Sequence, residues 1–202
     1  GDIHVGLEAG QHACVLARQE GNALAEAGSL INVTLCLCYL NRYDEAEQTL
    51  QQFEKIVVRQ GDRFLSAFGV RTRAILCQQY GDYESATAQY LGAIQAFESL
   101  GAINETAHTR FGLIHNWCLA REFSGIELQL RKMLDETRVV GSSELRVISA
   151  YAAVLVAAST GFTAIARKWY PSISKNRQNV LPRYNHVAEL AEVLIVQEPS
   201  VH

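Results

Sequence analysis

The histidines and cysteines are the side chains of this sequence best suited to bind a metal, and their spacing argues against that role. His108 and His115 stand seven residues apart, which along a helix is about 10.5 Å, too far for one ion to bridge without further ligands. Cys36 and Cys38 would point to different sides of a helix, because residues two apart do not share a face. The sequence therefore predicts no metal site and no cofactor.

Sequence patterns typical of catalysis are absent as well. A nucleophilic serine or cysteine usually lies in a sharp turn flanked by glycine, with a histidine and an acid supplied from elsewhere in the fold. The chain has no Gly-x-Ser-x-Gly segment, no phosphate-binding loop and no Gly-x-Gly-x-x-Gly segment. Its 6 histidines and 21 acidic residues would permit a triad by chance, but no spacing favours one. We therefore expect a protein that is not an enzyme.

Composition and charge favour a helical protein without nucleic-acid or membrane partners. A formal net charge of −3 and a pI near 6.1 supply none of the basic excess that phosphate backbones and anionic lipids attract. The longest apolar stretch, residues 147–158, is shorter than the roughly 20 residues that cross a bilayer. The only prolines are Pro171, Pro182 and Pro199, so nothing before residue 171 must break a helix. The sequence predicts an all-α fold.

Cysteine usage and the N-terminal residues predict the cellular setting. The five cysteines are scattered in apolar company without framework spacing, as is typical of reduced core residues in a cytoplasmic protein. The N-terminus lacks a basic start followed by an apolar run, so no signal peptide is predicted. Because Met133 is the only methionine, we expect the chain to be part of a longer protein.

Two markers recur along the chain with a period of about forty residues. Glycines stand at Gly21, Gly61, Gly101 and Gly141, and aromatic residues follow at Tyr43, Tyr83, Phe123 and Phe162. Each glycine fits the left-handed residue that ends a helix. A second turn is predicted inside each unit, at residues 41–42, 81–82, 121–122 and 160–161, the last one residue early. Each unit therefore reads as two helices of about 18 residues joined into an antiparallel hairpin.

Stacked hairpins with a fixed period are typical of an α-solenoid. We expect one domain over residues 1–202, with a half hairpin at 1–20, hairpins at 21–60, 61–100, 101–140 and 141–180, and a capping helix within 181–202. Residues 149–160 are small and apolar, which predicts a buried first helix in the fourth unit. Pro171 should shorten the second helix of that unit, and residues 184–197 should form the final helix.

The segment GDYESATAQYLGAIQAF resembles the second-helix half of a tetratricopeptide repeat. The matching positions are Gly81, Asp82, Tyr83, Ala86, Tyr90 and Ala93. The alanines are expected where neighbouring helices approach closely, and the aromatic residues are expected to fill grooves of the adjacent hairpin. The tetratricopeptide unit has about 34 residues, and the longer units here are similar to those in sensor domains of MalT-like, LuxR-type ATP-dependent transcriptional activators. The resemblance implies a right-handed superhelix of antiparallel hairpins.

In a tetratricopeptide array the first helix of every hairpin lines the concave face. The resemblance therefore implies a ligand-binding stripe formed by Arg71, Gln78, His108, Phe111, His115 and Tyr151. Aromatic side chains supply contact area, while arginine, glutamine and histidine fix orientation, so the stripe suits a peptide or a sugar-like effector.

The function implied is a recognition domain, the sensor or interaction part of a bacterial transcriptional regulator of the MalT-like LuxR type. Its partner would be a protein, a peptide or a small-molecule effector. The alternative is a structural adaptor whose role is assembly, for example by self-association through open ends of the solenoid.

Overall fold

The computed structural model describes residues 2–161, and these are helical with no strand among them. The all-α prediction is confirmed for this part of the chain. None of the described helices is long and apolar enough to cross a membrane. In chain order the helices are α1 Ile3–Gln19, α2 Ala23–Tyr39, α3 Tyr43–Gln60, α4 Arg63–Gln79, α5 Tyr83–Ser99, α6 Ile103–Ala120, α7 Ile126–Val140 and α8 Ser143–Thr160.

A residue with left-handed backbone conformation ends each helix, and these residues recur every twenty positions. Between the predicted units they are Gly21, Gly61, Gly101 and Gly141, with φ of 67, 67, 66 and 67°. Inside the units they are Asn41, Gly81, Arg121 and Gly161, with φ of 58, 80, 59 and 78°. The predicted glycine caps are therefore confirmed. In the fourth unit the left-handed residue is Gly161 and not Thr160, so α8 has full length.

Short polar caps start most helices directly after these turns. Asn22, Asp62, Asp82 and Ser142 each accept a hydrogen bond from the backbone N–H three residues further on. Such a bond satisfies one of the N–H groups left unpaired at a helix start. A left-handed residue followed by a cap leaves no room for a longer loop, so the helices it joins run antiparallel among α1 to α5, and likewise α7 and α8.

The third predicted unit departs from this pattern before its second helix. α7 begins at Ile126, whereas α3 and α5 begin at the aromatic residues Tyr43 and Tyr83. Gly125 adds a second left-handed residue, with φ of 86°, and a Cβ on it would lie 3.6 Å from Trp117. Phe123 is left in the connection and is 38% exposed. The aromatic residue of the third unit therefore precedes its second helix by three residues, whereas Tyr43 and Tyr83 stand at the first position of theirs.

Helices α1 to α5 belong to a first compact unit, which ends at Ala102. Within it α2 packs against α1 and α3, and α4 packs against α2, α3 and α5. Ala86, Tyr90 and Ala93 of α5 are buried, and the Tyr90 hydroxyl contacts Gln78 of α4 within the same predicted hairpin. The main core of this unit joins α1 to α4 through residues such as Leu7, Leu37, Leu50, Phe53 and Leu76.

The second compact unit begins at Ile103, and its described part consists of α6, α7 and α8. Helix α6 packs against both α7 and α8. Residues 147–157 of α8 are all buried, which confirms the buried first helix predicted there. The predictions for Gly1, for Phe162 and Pro171 in the fourth unit, and for residues 181–202 concern residues outside the described ones. The single domain over 1–202 stays a prediction.

Candidate functional site

The six residues predicted to bind a ligand divide into two groups by exposure. Three lie in the interior: Gln78 is 6% exposed, Phe111 is 8% exposed and Tyr151 is fully buried. The other three, Arg71, His108 and His115, are half-buried at the surface. Arg71 belongs to the first compact unit and the two histidines belong to the second.

The three interior residues have packing roles. The Tyr90 hydroxyl donates a 2.8 Å hydrogen bond to Gln78 Oε1, which ties α4 to α5. Phe111 and Tyr151 belong to the hydrophobic core formed by α6, α7 and α8. The first helices of neighbouring predicted hairpins pack directly against each other, α2 against α4 and α6 against α8. This packing buries helix positions that would line a groove if the first helices lay further apart. A ligand binding this surface would therefore contact other side chains.

Arg71 lies on a cluster of phenylalanines at one face of α4. Its guanidinium carbon is 4.3 Å from the centre of the Phe68 ring and 5.7 Å from that of Phe97, within the range of a cation–π contact. The Phe64 and Phe68 rings are 5.0 Å apart and meet edge to face. Phe97 of α5 is fully buried beneath them, at 5.3 Å from Phe68 and 5.8 Å from Phe64. The outermost ring, Phe64, is 42% exposed.

Phe64 and Phe68 were not among the predicted binding residues. Together with Arg71 they stand at i, i+4 and i+7 of one helix, which is the spacing of a single face. That spacing was visible in the sequence and could have extended the predicted stripe toward the start of α4.

Helix α2 presents an apolar stripe at the equivalent positions, forty residues earlier. We use the name α2–α4 face for eight residues of these two packed helices: Leu24, Gly28, Leu35 and Tyr39 of α2, and Phe64, Phe68, Arg71 and Ile75 of α4. Leu24 is 47% exposed and Tyr39 is 40% exposed, and the side chains of Leu35 and Ile75 are half-buried. Arg71 is the one ionised side chain among the eight.

The two histidines of the predicted stripe lie on α6. His108 Nε2 is 3.4 Å from Glu144 Oε1, a contact between α6 and α8. The His115 ring stacks on Phe111, with ring centres 6.3 Å apart and planes inclined by 19°. Among residues 2–161 no group of three or more histidine, cysteine or acidic side chains is arranged to hold a metal ion. His108 thus contacts α8, whereas the ring of His115 stacks within its own helix, α6.

Ion pairs link neighbouring helices in both compact units. Arg73 of α4 pairs with Glu47 at 3.1 Å and with Glu54 at 2.8 Å, both on α3. Arg110 of α6 is only 2% exposed, pairs with Glu136 of α7 at 2.9 Å and donates a hydrogen bond to Gln129. Because an interior charge needs a partner, the Arg110 pair fixes how α6 and α7 meet.

The cysteine side chains are not activated nucleophiles. Burial raises the pKa of the Cys14, Cys36, Cys77 and Cys118 thiols, and raises that of Cys38 to about 12. All five are free. Nucleophilic attack requires the thiolate, so their protonation at neutral pH favours a packing role.

Comparison with known proteins adds no relative. No protein-family model matches the chain, and no curated protein matches it with significance. Function is therefore inferred from the helices and from the side chains they expose.

Proposed function

We propose that this chain is a non-enzymatic recognition domain in which the α2–α4 face binds a segment of a protein or peptide. The observation that carries the proposal is the aromatic cluster of Phe64, Phe68 and Arg71, in which Phe64 is exposed and the half-buried Arg71 lies over the half-buried Phe68 ring. Exposed contiguous apolar surface marks interaction sites. Aromatic residues and arginine also dominate the binding energy of protein interfaces.

The arrangement of the helices supports a tetratricopeptide-like α-solenoid as the scaffold of this function. The left-handed turns recur every twenty residues, and the first helices of neighbouring predicted hairpins pack side by side in each unit, α2 with α4 and α6 with α8. Side-by-side packing of equivalent helices is what repeat stacking requires. We propose that the hairpins continue this stacking as a right-handed superhelix.

The biological setting proposed is the cytoplasmic sensor or interaction domain of a bacterial transcriptional regulator similar to the MalT-like LuxR type. The length of the repeat unit, about forty residues, supports it. Such a regulator carries an ATPase module before the repeats and a DNA-binding module after them. Reading the complete gene tests this setting, and a gene that encodes neither module would overturn it.

Peptide binding by the α2–α4 face can be tested with variants of its exposed residues. Phage display of random 12-residue peptides on the full chain supplies ligands, and fluorescence anisotropy measures their Kd. We expect Phe64→Ala and Arg71→Ala each to weaken binding about tenfold or more, as truncation of an interface anchor does. Val58 is 81% exposed on α3, so Val58→Ala is the matched control and should leave Kd unchanged. Equal affinities of all four proteins would overturn the proposal.

Self-association as a structural adaptor is the second candidate, and the surface of α1 favours it. α1 packs on α2 and exposes Val5 by 61%, Val15 by 48% and Leu16 by 45%. An adaptor that assembles through this surface should show a molar mass above that of the monomer in light scattering. Val5→Ser together with Val15→Ser should restore the monomer mass. A monomer mass for the unmodified chain at all concentrations would exclude this candidate.

A further inference from the structure

Tyr80 is an exposed aromatic residue at the C-terminal end of α4. It is the C-cap of that helix and is 54% exposed. Its ring contacts the ring of Tyr43, the first residue of α3, with ring centres 5.2 Å apart and planes inclined by 56°. The Tyr43 hydroxyl donates a 2.7 Å hydrogen bond to Asn41 Oδ1. Two tyrosine rings therefore lie together beside the internal turns of the first two predicted hairpins, and one of them is open to solvent.

Carboxylates exceed cations around the two rings. Asp44, the second residue of α3, is exposed and forms no ion pair with any residue of 2–161. Glu47, one helical turn further on, shares the Arg73 guanidinium with Glu54. The pKa of Tyr80 is raised, first by its partial desolvation and then by the nearby Asp44 and Glu47 carboxylates. The exposed ring therefore stands in a local excess of negative charge.

Basic side chains nearby do not offset this excess. Arg42 donates two hydrogen bonds of 2.7 Å to the Glu45 carboxylate and is thereby neutralised. Between Arg73 and Arg110 the sequence contains no lysine or arginine. Helix α4 has no basic residue in its last turn, although the carbonyl groups at a helix C-terminus attract cations. An open aromatic face, unneutralised carboxylates and a helix C-terminus thus meet at one place, and each of them favours a cation.

We propose that this tyrosine edge, formed by Tyr43, Asp44, Glu47 and Tyr80, binds an arginine side chain of a partner protein. The guanidinium stacks on the exposed Tyr80 ring and donates hydrogen bonds to the Asp44 carboxylate, which a planar and permanently charged group can do at the same time. Lysine fits less well, because its ammonium group has no plane to stack. The tyrosine edge is distinct from the α2–α4 face, and the inference does not depend on the function proposed for that face.

A blocked tripeptide with one arginine between two glycines is the probe for this edge. When it is titrated into the full chain, the amide signals of Tyr80 and Gly81 in ¹H–¹⁵N spectra should shift and reach saturation. The matching tripeptide with glutamine has no charge and should leave these signals in place. The lysine tripeptide should bind with a higher Kd than the arginine tripeptide.

Variants of the full chain separate this site from attraction by overall negative charge. Asp44→Asn removes one charge with little change of shape, and Tyr80→Leu removes the ring, so each should raise the Kd of the arginine tripeptide about threefold or more. Tyr80→Phe keeps the ring and should bind like the unmodified chain. Glu20→Gln removes an exposed carboxylate at the opposite end of α2. It is the matched control for Asp44→Asn and should leave the Kd unchanged.

The other results would overturn the inference. Equal losses for Glu20→Gln and Asp44→Asn would show attraction by net charge alone. Equal Kd values for the arginine and glutamine tripeptides, an unchanged Kd for Tyr80→Leu, or no saturating shift at Tyr80 would each exclude an arginine site at this edge. Phe64→Ala tests the α2–α4 face and should not change the Kd of the tripeptide, so failure of the tyrosine edge leaves the proposed function standing.

Discussion

Gly69→Ala tests how closely the first two predicted hairpins approach each other. Gly69 lies within α4 and faces Phe53 of α3. An added Cβ would come within 2.7 Å of Phe53 Cε1 and within 3.5 Å of its Cδ1. Phe53 is 1% exposed and belongs to the main core of the first compact unit, so its ring has no solvent-filled space to move into. The substitution therefore forces one of the helices to shift.

The expected magnitude is a difference between two opposing effects. Alanine favours the helix by about 0.8–1 kcal/mol over glycine, whereas overpacking a filled core costs about 1–3 kcal/mol. The free energy of unfolding should consequently fall by about 1 kcal/mol. Gly92→Ala gains the same propensity without overpacking, so it should raise the free energy of unfolding by up to about 1 kcal/mol. The contrast between these two identical exchanges, about 2 kcal/mol, isolates the overpacking cost.

Urea unfolding followed by far-ultraviolet circular dichroism measures this contrast through the midpoint concentration. Phe53→Leu supplies a rescue, because a smaller side chain leaves room for the new methyl group. The double substitution should cost less than the sum of the two single ones, as expected for residues in contact. A Gly69→Ala protein as stable as Gly92→Ala would refute the close approach of α3 and α4.

The left-handed turns and the thiols give two further expectations. Arg121→Gly should raise the free energy of unfolding by about 1 kcal/mol, because a side chain in the left-handed region is strained. Asn41→Gly should change the free energy of unfolding little, because asparagine tolerates that conformation and the substitution removes the 2.7 Å hydrogen bond from the Tyr43 hydroxyl. Thermal unfolding compares the two variants, and equal gains in stability would contradict this difference. Because burial raises the pKa of Cys38 to about 12, its thiolate is scarce below that pH, and iodoacetamide at pH 8 should leave it unmodified in the native protein and modify it in urea, as peptide mass spectrometry would record.

The helices and their ends could be predicted because local chemistry determines them. Gly21, Gly61, Gly101 and Gly141 have the conformation that glycine adopts most easily. The polar residues next to the turns supply the caps. The exception near Phe123 arose from Gly125, which forms a second left-handed turn that the forty-residue period does not contain.

The candidate site could be predicted only in part, because exposure depends on neighbouring helices. Positions transferred from a repeat pattern identify a side of a helix, but not how closely the next helix covers it. Tyr151 became a core residue for that reason, and Gln78 became the buried partner of Tyr90.

The equal spacing of the turns also restricts which changes of length the gene can tolerate. Loss or gain of forty codons between equivalent turns would remove or add one first helix and one second helix together. The two helix types would therefore still alternate along the chain. A change of twenty codons would also join intact helices, but it would put a second helix of a hairpin at the position of a first helix. The second helix α3 is buried only along Ala46, Leu50, Phe53 and Val57, whereas the first helix α8 is buried on nearly all sides. Variation in the number of repeats among related genes should therefore occur in steps of whole hairpins.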